Sequence, residues 1–177
     1  MSSNFERTGS TTVYAGYQAT IYKRHFRHED GEEVVREVVG HPGAVAVVAH
    51  DGTDIWLVAQ PREAVEQPDM LELPAGKRDV EGEPPLETAK RELAEEIGKG
   101  ASTWEPLISF HSSPGFSDEE VHIFLATDLH DESAEVEENE RIDIVRHPLA
   151  QLDELLKLTT DAKTLIGLYE LRRRLHG

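Results

Sequence analysis

The stretch "PPLETAKRELAEEIG", residues 84–98, limits the fold more than any other part of the chain. Leu86, Ala89, Leu93 and Ile97 recur at helical spacing and form one apolar stripe. Pro84 and Pro85 suit a first helical turn, and Gly98 suits the stop. The rest of the chain must supply an apolar face for this helix to lie on. Glu92 and Glu96 flank the stripe, about 40° apart in projection at roughly 100° per residue. Such like-charged neighbours repel by roughly 0.2–0.5 kcal/mol, and Glu95 adds a third acid. A solvated acidic face tolerates that cost, whereas a cation between the carboxylates reverses it.

Strand patterns surround the helix. Residues 1–10 are small and polar and read as a loose tail. "VYAGYQATIYKRHF" partly alternates and is rich in Tyr, Thr and Ile, as strands are. "EDGEE" turns the chain into "VVREVV" to complete a hairpin, and "AVAVVAH" and "IWLVAQP" flank a DG turn as a second one. "MLELPAG" is a short strand closed by proline and glycine. Beyond the helix, "WEPLISFHSS", "VHIFLATDL" and "IDIVRHPL" read as strands and "QLDELLKL" as a short helix. "TDAKTLIGLYELRRRL" closes the chain as an amphipathic helix, with Arg172, Arg173 and Arg174 at its negative end. The order predicts an α/β (α+β) domain without repeats or linkers.

Composition narrows the function. A net charge of −17 argues against nucleic acid, which needs a basic footprint. A phosphate ligand would have to be bridged by metal or by local arginines. With no cysteine in 177 residues, disulfides and thiolate sites are excluded and the expected compartment is cytoplasmic. No run of about 18 apolar residues and no signal-peptide pattern is found, so no membrane association is expected. The histidines form no HExxH or paired ligand set, and His41 and His111 read as packing or loop residues. Asp128 to Asp143 holds eight acids against Arg141 alone, a surface acidic loop by composition.

The acids on the helix belong to a longer pattern. Gly76, Glu83, Arg91-Glu92-Leu93 and Glu95-Glu96-Ile97-Gly98 resemble the signature of the Nudix hydrolases, G-x5-E-x7-R-E-U-x-E-E-x-G-U, where U is a bulky aliphatic residue. Two departures stand out: six residues separate Gly76 from Glu83, and Lys99 replaces an aliphatic residue. The resemblance implies the Nudix fold, a mixed β-sheet sandwich flanked by helices. It also implies hydrolysis of a nucleoside diphosphate linked to another group. Glu92 and Glu96 match the principal ligands of a divalent metal, Mg²⁺ with Mn²⁺ as the second choice, and Glu95 completes or supports the shell. The Ala75 carbonyl matches a backbone ligand, while Gly76, Glu83, Arg91 and Gly98 match structural positions of the motif.

"HPGAVAVV", "LELPAGK" and "FHSSPGFSDE", with Pro114 fifteen residues beyond Lys99, resemble the ADP-ribose pyrophosphatases within that family. The resemblance implies cleavage of ADP-ribose to AMP and ribose 5-phosphate by a homodimer. In it, residues 1–40 form an antiparallel hairpin region that swaps between subunits and helps bind adenosine, and residues 41–177 form the hydrolase domain. Arg36 and Glu37 match adenosine contacts, Arg62 an arginine on the pyrophosphate or ribose side, and Ser113 and Glu119 positions near the terminal ribose. "VEENERID" resembles the loop that carries the catalytic base, aligning Glu138 with the base and Glu140 with a neighbouring metal or substrate acid. Other nucleotide sugars, ADP-glucose or GDP-mannose, are the alternative substrates. A non-hydrolysing ADP-ribose sensor is a third reading, although such proteins normally lose motif acids that are present here.

Overall fold

The computed structural model describes residues 4–17, 19–134 and 141–176. Its contacts divide the chain into two compact units, one of Met1–Gly43 with His111–Glu120 and one of Ala44–Phe110 with Val121–Gly177.

The first unit is an antiparallel three-stranded sheet in the order β1 (Phe5–Ala15), β2 (Thr20–His28), β3 (Glu33–Gly40). The sequence reading of residues 1–10 as a loose tail is corrected here, because β1 pairs with β2 from Phe5↔His28 to Ala15↔Thr20. Its residues are mostly exposed, so no apolar periodicity marks it, and pairing with β2 supplies the order instead. "VYAGYQATIYKRHF" is likewise two strand segments rather than one: the Gly16 N–H donates to the Ala19 carbonyl at 2.9 Å and turns the chain between them. The segment "PGFSDEE" docks on β3, where Val39 donates to Phe116 O at 2.7 Å and accepts from Asp118 N at 3.3 Å.

The second unit is built on a seven-stranded mixed sheet. Its main path runs β10 (Asp143–Pro148), β5 (Asp54–Arg62), β4 (Ala44–His50), β9 (Glu120–Asp131), β8 (Lys99–His111). β6 (Gln67–Glu72) adds to β5 and β7 (Ala75–Lys77) adds to β4. Most pairs are antiparallel, but β4 and β9 run parallel from Ala44↔Val121 to Ala49↔Ala126. β4 reads as an unbroken apolar run because both of its faces are buried. Val45, Val47 and Ala49 face a cluster with Ala89, Leu93 and Ile97 of α1 (Pro85–Ile97), while Ala46 and Val48 face one with Leu168 and Leu171 of α3 (Ala162–His176). A four-residue helix, α2 (Leu152–Leu155), joins the second cluster.

The helix expected from the stripe is present, from Pro85 to Ile97, and Gly98 stops it with φ +65°, a left-handed conformation suited to glycine. On the opposite face α3 approaches closely at Gly167, where an added Cβ would lie 2.7 Å from Leu73 Cδ1 and 3.0 Å from Val48 Cγ2. Leu93 is fully buried at the centre of the α1 stripe. Leu93→Ala is expected to lower stability by about 3 kcal/mol in urea denaturation, from lost burial and the cavity left behind. A loss below about 1 kcal/mol would show that this stripe does not anchor the helix.

Candidate active site

Burial of the α1 stripe sets the direction of its acidic flank. With Leu93 and Ile97 held in the core, Glu92 and Glu96 turn toward the short strand β7. The Ala75 N–H donates to Glu96 Oε2 at 2.9 Å. A Cβ placed on Gly76 would lie 1.9 Å from Glu92 Cδ and within 2.2 Å of both carboxylate oxygens. Only a glycine lets the backbone come that close to the acid. Ala75, Gly76, Glu92 and Glu96, far apart in sequence, thus form one acidic edge. In extended backbone the N–H and C=O of a residue point to the same edge, so the Ala75 carbonyl shares the Glu96 side of β7.

Arg91 stands over the same acids. Its Nη1 lies 2.9 Å from both Glu92 Oε1 and Glu95 Oε2, and Nη2 lies 3.5 Å from Glu83 Oε2. Burial opposes the Arg91 charge, but Glu92, Glu83 and Glu95 outweigh it and hold the guanidinium pKa above its ordinary value. The motif's two departures have local explanations. The longer loop before the helix is taken up in a turn, with Glu83 N donating to Val80 O at 3.2 Å and Gly82 at φ +79°. Lys99 lays its ammonium over the Trp56 ring, 4.7 Å from the centroid, and pairs with Asp131. It therefore still covers apolar surface.

Among the described residues no group of three or more His, Asp or Glu side chains is placed to hold a metal ion. The donor set at the Glu92–Glu96 edge nevertheless suits a hard divalent cation, which takes carboxylate and carbonyl oxygens and fills its remaining positions with water or phosphate. Glu138 and Glu140 lie outside the described residues.

Arg62 is held near this edge. β5 departs from regular register with β6 between Gln60 and Arg62, beside Pro61, which has no N–H for the ladder. Arg62 Nε and Nη2 then clasp Glu72 Oε1 and Oε2 at 2.5 and 2.8 Å. Glu72 is 1% exposed, and Lys163 pairs with its Oε2. Burial pushes the Glu72 carboxyl up, but Arg62 and Lys163 outweigh it and hold its pKa below the ordinary value. Sequence reasoning missed Glu72 and Lys163. The available signal was a single acid in the otherwise apolar run "MLELP", between Leu71 and Leu73.

The other expected substrate residues belong to the first unit. Arg36 and Glu37 are exposed on β3, with Arg36 Nη1 bonded to the Val35 carbonyl at 3.1 Å. Arg36 lines a cavity of about 530 Å³ with Phe5, Phe26, Val34, Val38 and Phe116. The Ser113 carbonyl accepts from Phe116 N and Ser117 N, and Glu119 Oε1 lies 3.4 Å from His41 Nδ1. Asp118, which the sequence did not single out, accepts from Arg24 Nη2 at 2.6 Å and from His41 N at 2.8 Å.

Comparison with known proteins places these features in context. A family model described as NUDIX domain matches residues 40–169. An ADP-ribose pyrophosphatase of Mycobacterium tuberculosis is 42% identical over 84% of this chain and 72% of its own length. An ADP-ribose pyrophosphatase of Bacillus subtilis is 37% identical over 97% of this chain and 95% of its own. A methanol dehydrogenase activator of Bacillus methanolicus is 40% identical over 90% of this chain and 88% of its own. A crystal structure of an ADP compounds hydrolase aligns with TM-score 0.83 and 28% identity, covering 97% of this chain and 94% of that one.

A carboxyl whose pKa is lowered on folding contributes stability that is complete above its ordinary value and is lost as pH falls through the lowered one. Glu72→Gln is expected to cost about 3 kcal/mol near pH 7, because it leaves two cations poorly paired. The gap to wild type should shrink as pH falls below the ordinary value of 4.5. Urea melts from pH 7 down to pH 3 measure this, and a gap independent of pH would mean that folding does not lower the Glu72 pKa.

Proposed function

The chain belongs to the NUDIX family, and on that footing we propose that it is a divalent-metal-dependent pyrophosphatase that hydrolyses ADP-ribose to AMP and ribose 5-phosphate. The observation that carries the reading is the seating of Glu92 and Glu96 against the Ala75–Gly76 edge. The relatives named for ADP-ribose support the substrate.

In this reading Glu92, Glu96 and the Ala75 carbonyl hold the metal, with Glu140 as a further ligand. Mg²⁺ is the first choice and Mn²⁺ the second. A metal held there would supply positive charge opposite the charge that develops on the phosphate oxygens. Arg91 holds Glu92 and Glu95 in fixed rotamers, and Glu95 supports the shell. Arg62 donates to a pyrophosphate oxygen. Glu138 takes a proton from the attacking water. The water oxygen bonds to one phosphorus as the bridging P–O bond breaks, and the bridging oxygen leaves on the other phosphate. Glu138 and Glu140 carry these roles by resemblance alone.

Arg36 and Glu37 contact adenosine, and Ser113 and Glu119 contact the terminal ribose. The protein acts in the cytoplasm as a homodimer. Support for the dimer is the exposure of large apolar side chains on the first unit, with Phe5 at 62%, Tyr14 at 59% and Phe116 at 57%.

The purified protein should be incubated with ADP-ribose, ADP-glucose, GDP-mannose and NADH, with and without Mg²⁺. AMP and ribose 5-phosphate appearing fastest, and only with metal, is the expected result. Faster turnover of another compound would keep the chemistry and replace the substrate, and tight ADP-ribose binding without turnover would point to a sensor. Glu92→Gln and Glu96→Gln are each expected to lower kcat/KM about a thousandfold, roughly 4 kcal/mol at 1.36 kcal/mol per tenfold. Gly76→Ala, by displacing the Glu92 carboxylate, should weaken Mn²⁺ binding about tenfold or more in calorimetry. Unchanged Mn²⁺ affinity in that variant would remove Glu92 from the ligand set.

A further inference from the structure

The buried carboxylate of Glu72 has no part in the reaction described above, yet it pairs with two cations near the site. It sits at the end of β6, is 1% exposed, and carries two cations from distant segments. Arg62 reaches it from the irregular end of β5, and Lys163 from the first turn of α3. Lys163 is itself fixed at 3.0 Å by Asp161, whose Oδ2 also accepts from the Thr164 N–H at 2.9 Å and so caps the helix. The Thr164 hydroxyl in turn accepts from Leu73 N at 2.8 Å. Glu72 and the next residue, Leu73, are thereby both joined to the start of α3.

The clasp on Arg62 has a direction. Glu72 takes Nε and Nη2, one long edge of the guanidinium, so Nη1 is the corner turned away from the carboxylate. The Arg62 side chain remains 43% exposed even though its partner is buried. Glu96 lies close enough to add to the charge field at Arg62. Glu72, which clasps the fork, lies three residues before Ala75, so the Arg62 guanidinium is anchored close in sequence to the acidic edge.

We propose that Glu72 is a positioning residue: with Lys163 and Asp161 it holds the Arg62 guanidinium in one orientation, so that Nη1 meets a phosphate oxygen of the substrate without rearrangement. This rests on the pyrophosphatase reading, because it gives Arg62 a phosphate to meet. An exposed arginine otherwise samples many rotamers, and binding must then bear the entropy of fixing one. Glu72 bears that cost on folding, and Lys163 offsets what remains of the buried negative charge. A lysine at position 62 could match the charge but could not hold both oxygens of Glu72 and still present a donor outward.

The test is a double-mutant cycle of Arg62→Ala and Glu72→Gln in the full-length protein, read as kcat and KM for ADP-ribose at saturating Mg²⁺, with the Tm of every variant recorded. Arg62→Ala should lower kcat/KM about 100-fold. Glu72→Gln alone should lower it about tenfold, yet change it less than about twofold when Arg62 is already alanine. A purely structural role for Glu72 predicts the same fractional loss in both backgrounds, and that result overturns the proposal, as does wild-type kcat/KM in a folded Glu72→Gln variant. Arg62→Lys keeps the buried acid and a positive charge beside it, and gives a second reading should Glu72→Gln fail to fold. Loss close to that of Arg62→Ala supports the fork geometry, and near-wild-type kcat/KM overturns it. Absence of turnover by the wild type on every nucleotide sugar tried would overturn the pyrophosphatase reading and this inference with it, whereas turnover with independent defects overturns this inference alone.

Discussion

The candidate site depends on how one helix is seated. Leu93 and Ile97 bury the apolar stripe of α1 against β4 and β9, and that burial leaves the helix no rotational freedom. Its acidic flank is consequently carried against β7, where Gly76 is small enough to admit the Glu92 carboxylate and the Ala75 N–H donates to Glu96. Hydrophobic packing positions the carboxylates, and the carboxylates then define a place for a cation. A slip of one residue in the stripe would turn both acids about 100° away from that edge.

Charge compensation explains how so many acids coexist. Arg91 answers Glu83, Glu92 and Glu95 within one turn of the helix and its preceding loop. Glu72 is answered by Arg62 and Lys163, and Asp118 by Arg24. The Lys163–Glu72 and Arg24–Asp118 pairs join segments 91 and 94 positions apart, and each sets a cation against an acid in a chain of net charge −17. In an acidic protein that is to take a phosphate substrate, the placement of a few cations matters more than the overall balance.

Much of the fold was legible. The α1 stripe, the proline start and the glycine stop each mark the helix without reference to any partner, and continuous apolar runs such as "AVAVVAH" mark strands buried on both faces. β1 was not legible, because an exposed strand held by its neighbour shows no apolar alternation. The return of His111–Glu120 to the first unit was also hidden, since docking on Val39 is made by backbone groups that every residue carries. Lys99 looked like a break in the motif, and the Trp56 ring that receives it lies 43 residues away in sequence.

The sequence by itself determined the acids: their types, their spacing and the face of the helix they share, because helical periodicity converts spacing into direction. It likewise determined that the residue facing Glu92 is a glycine. Tertiary structure alone decided that this glycine faces Glu92 at all, that Arg62 is clasped by a buried acid, and that Lys163 reaches the same acid from the last helix. Those relations depend on which strands and helices come together. Contacts between residues 21 or 91 positions apart leave no periodic trace in the chain that makes them.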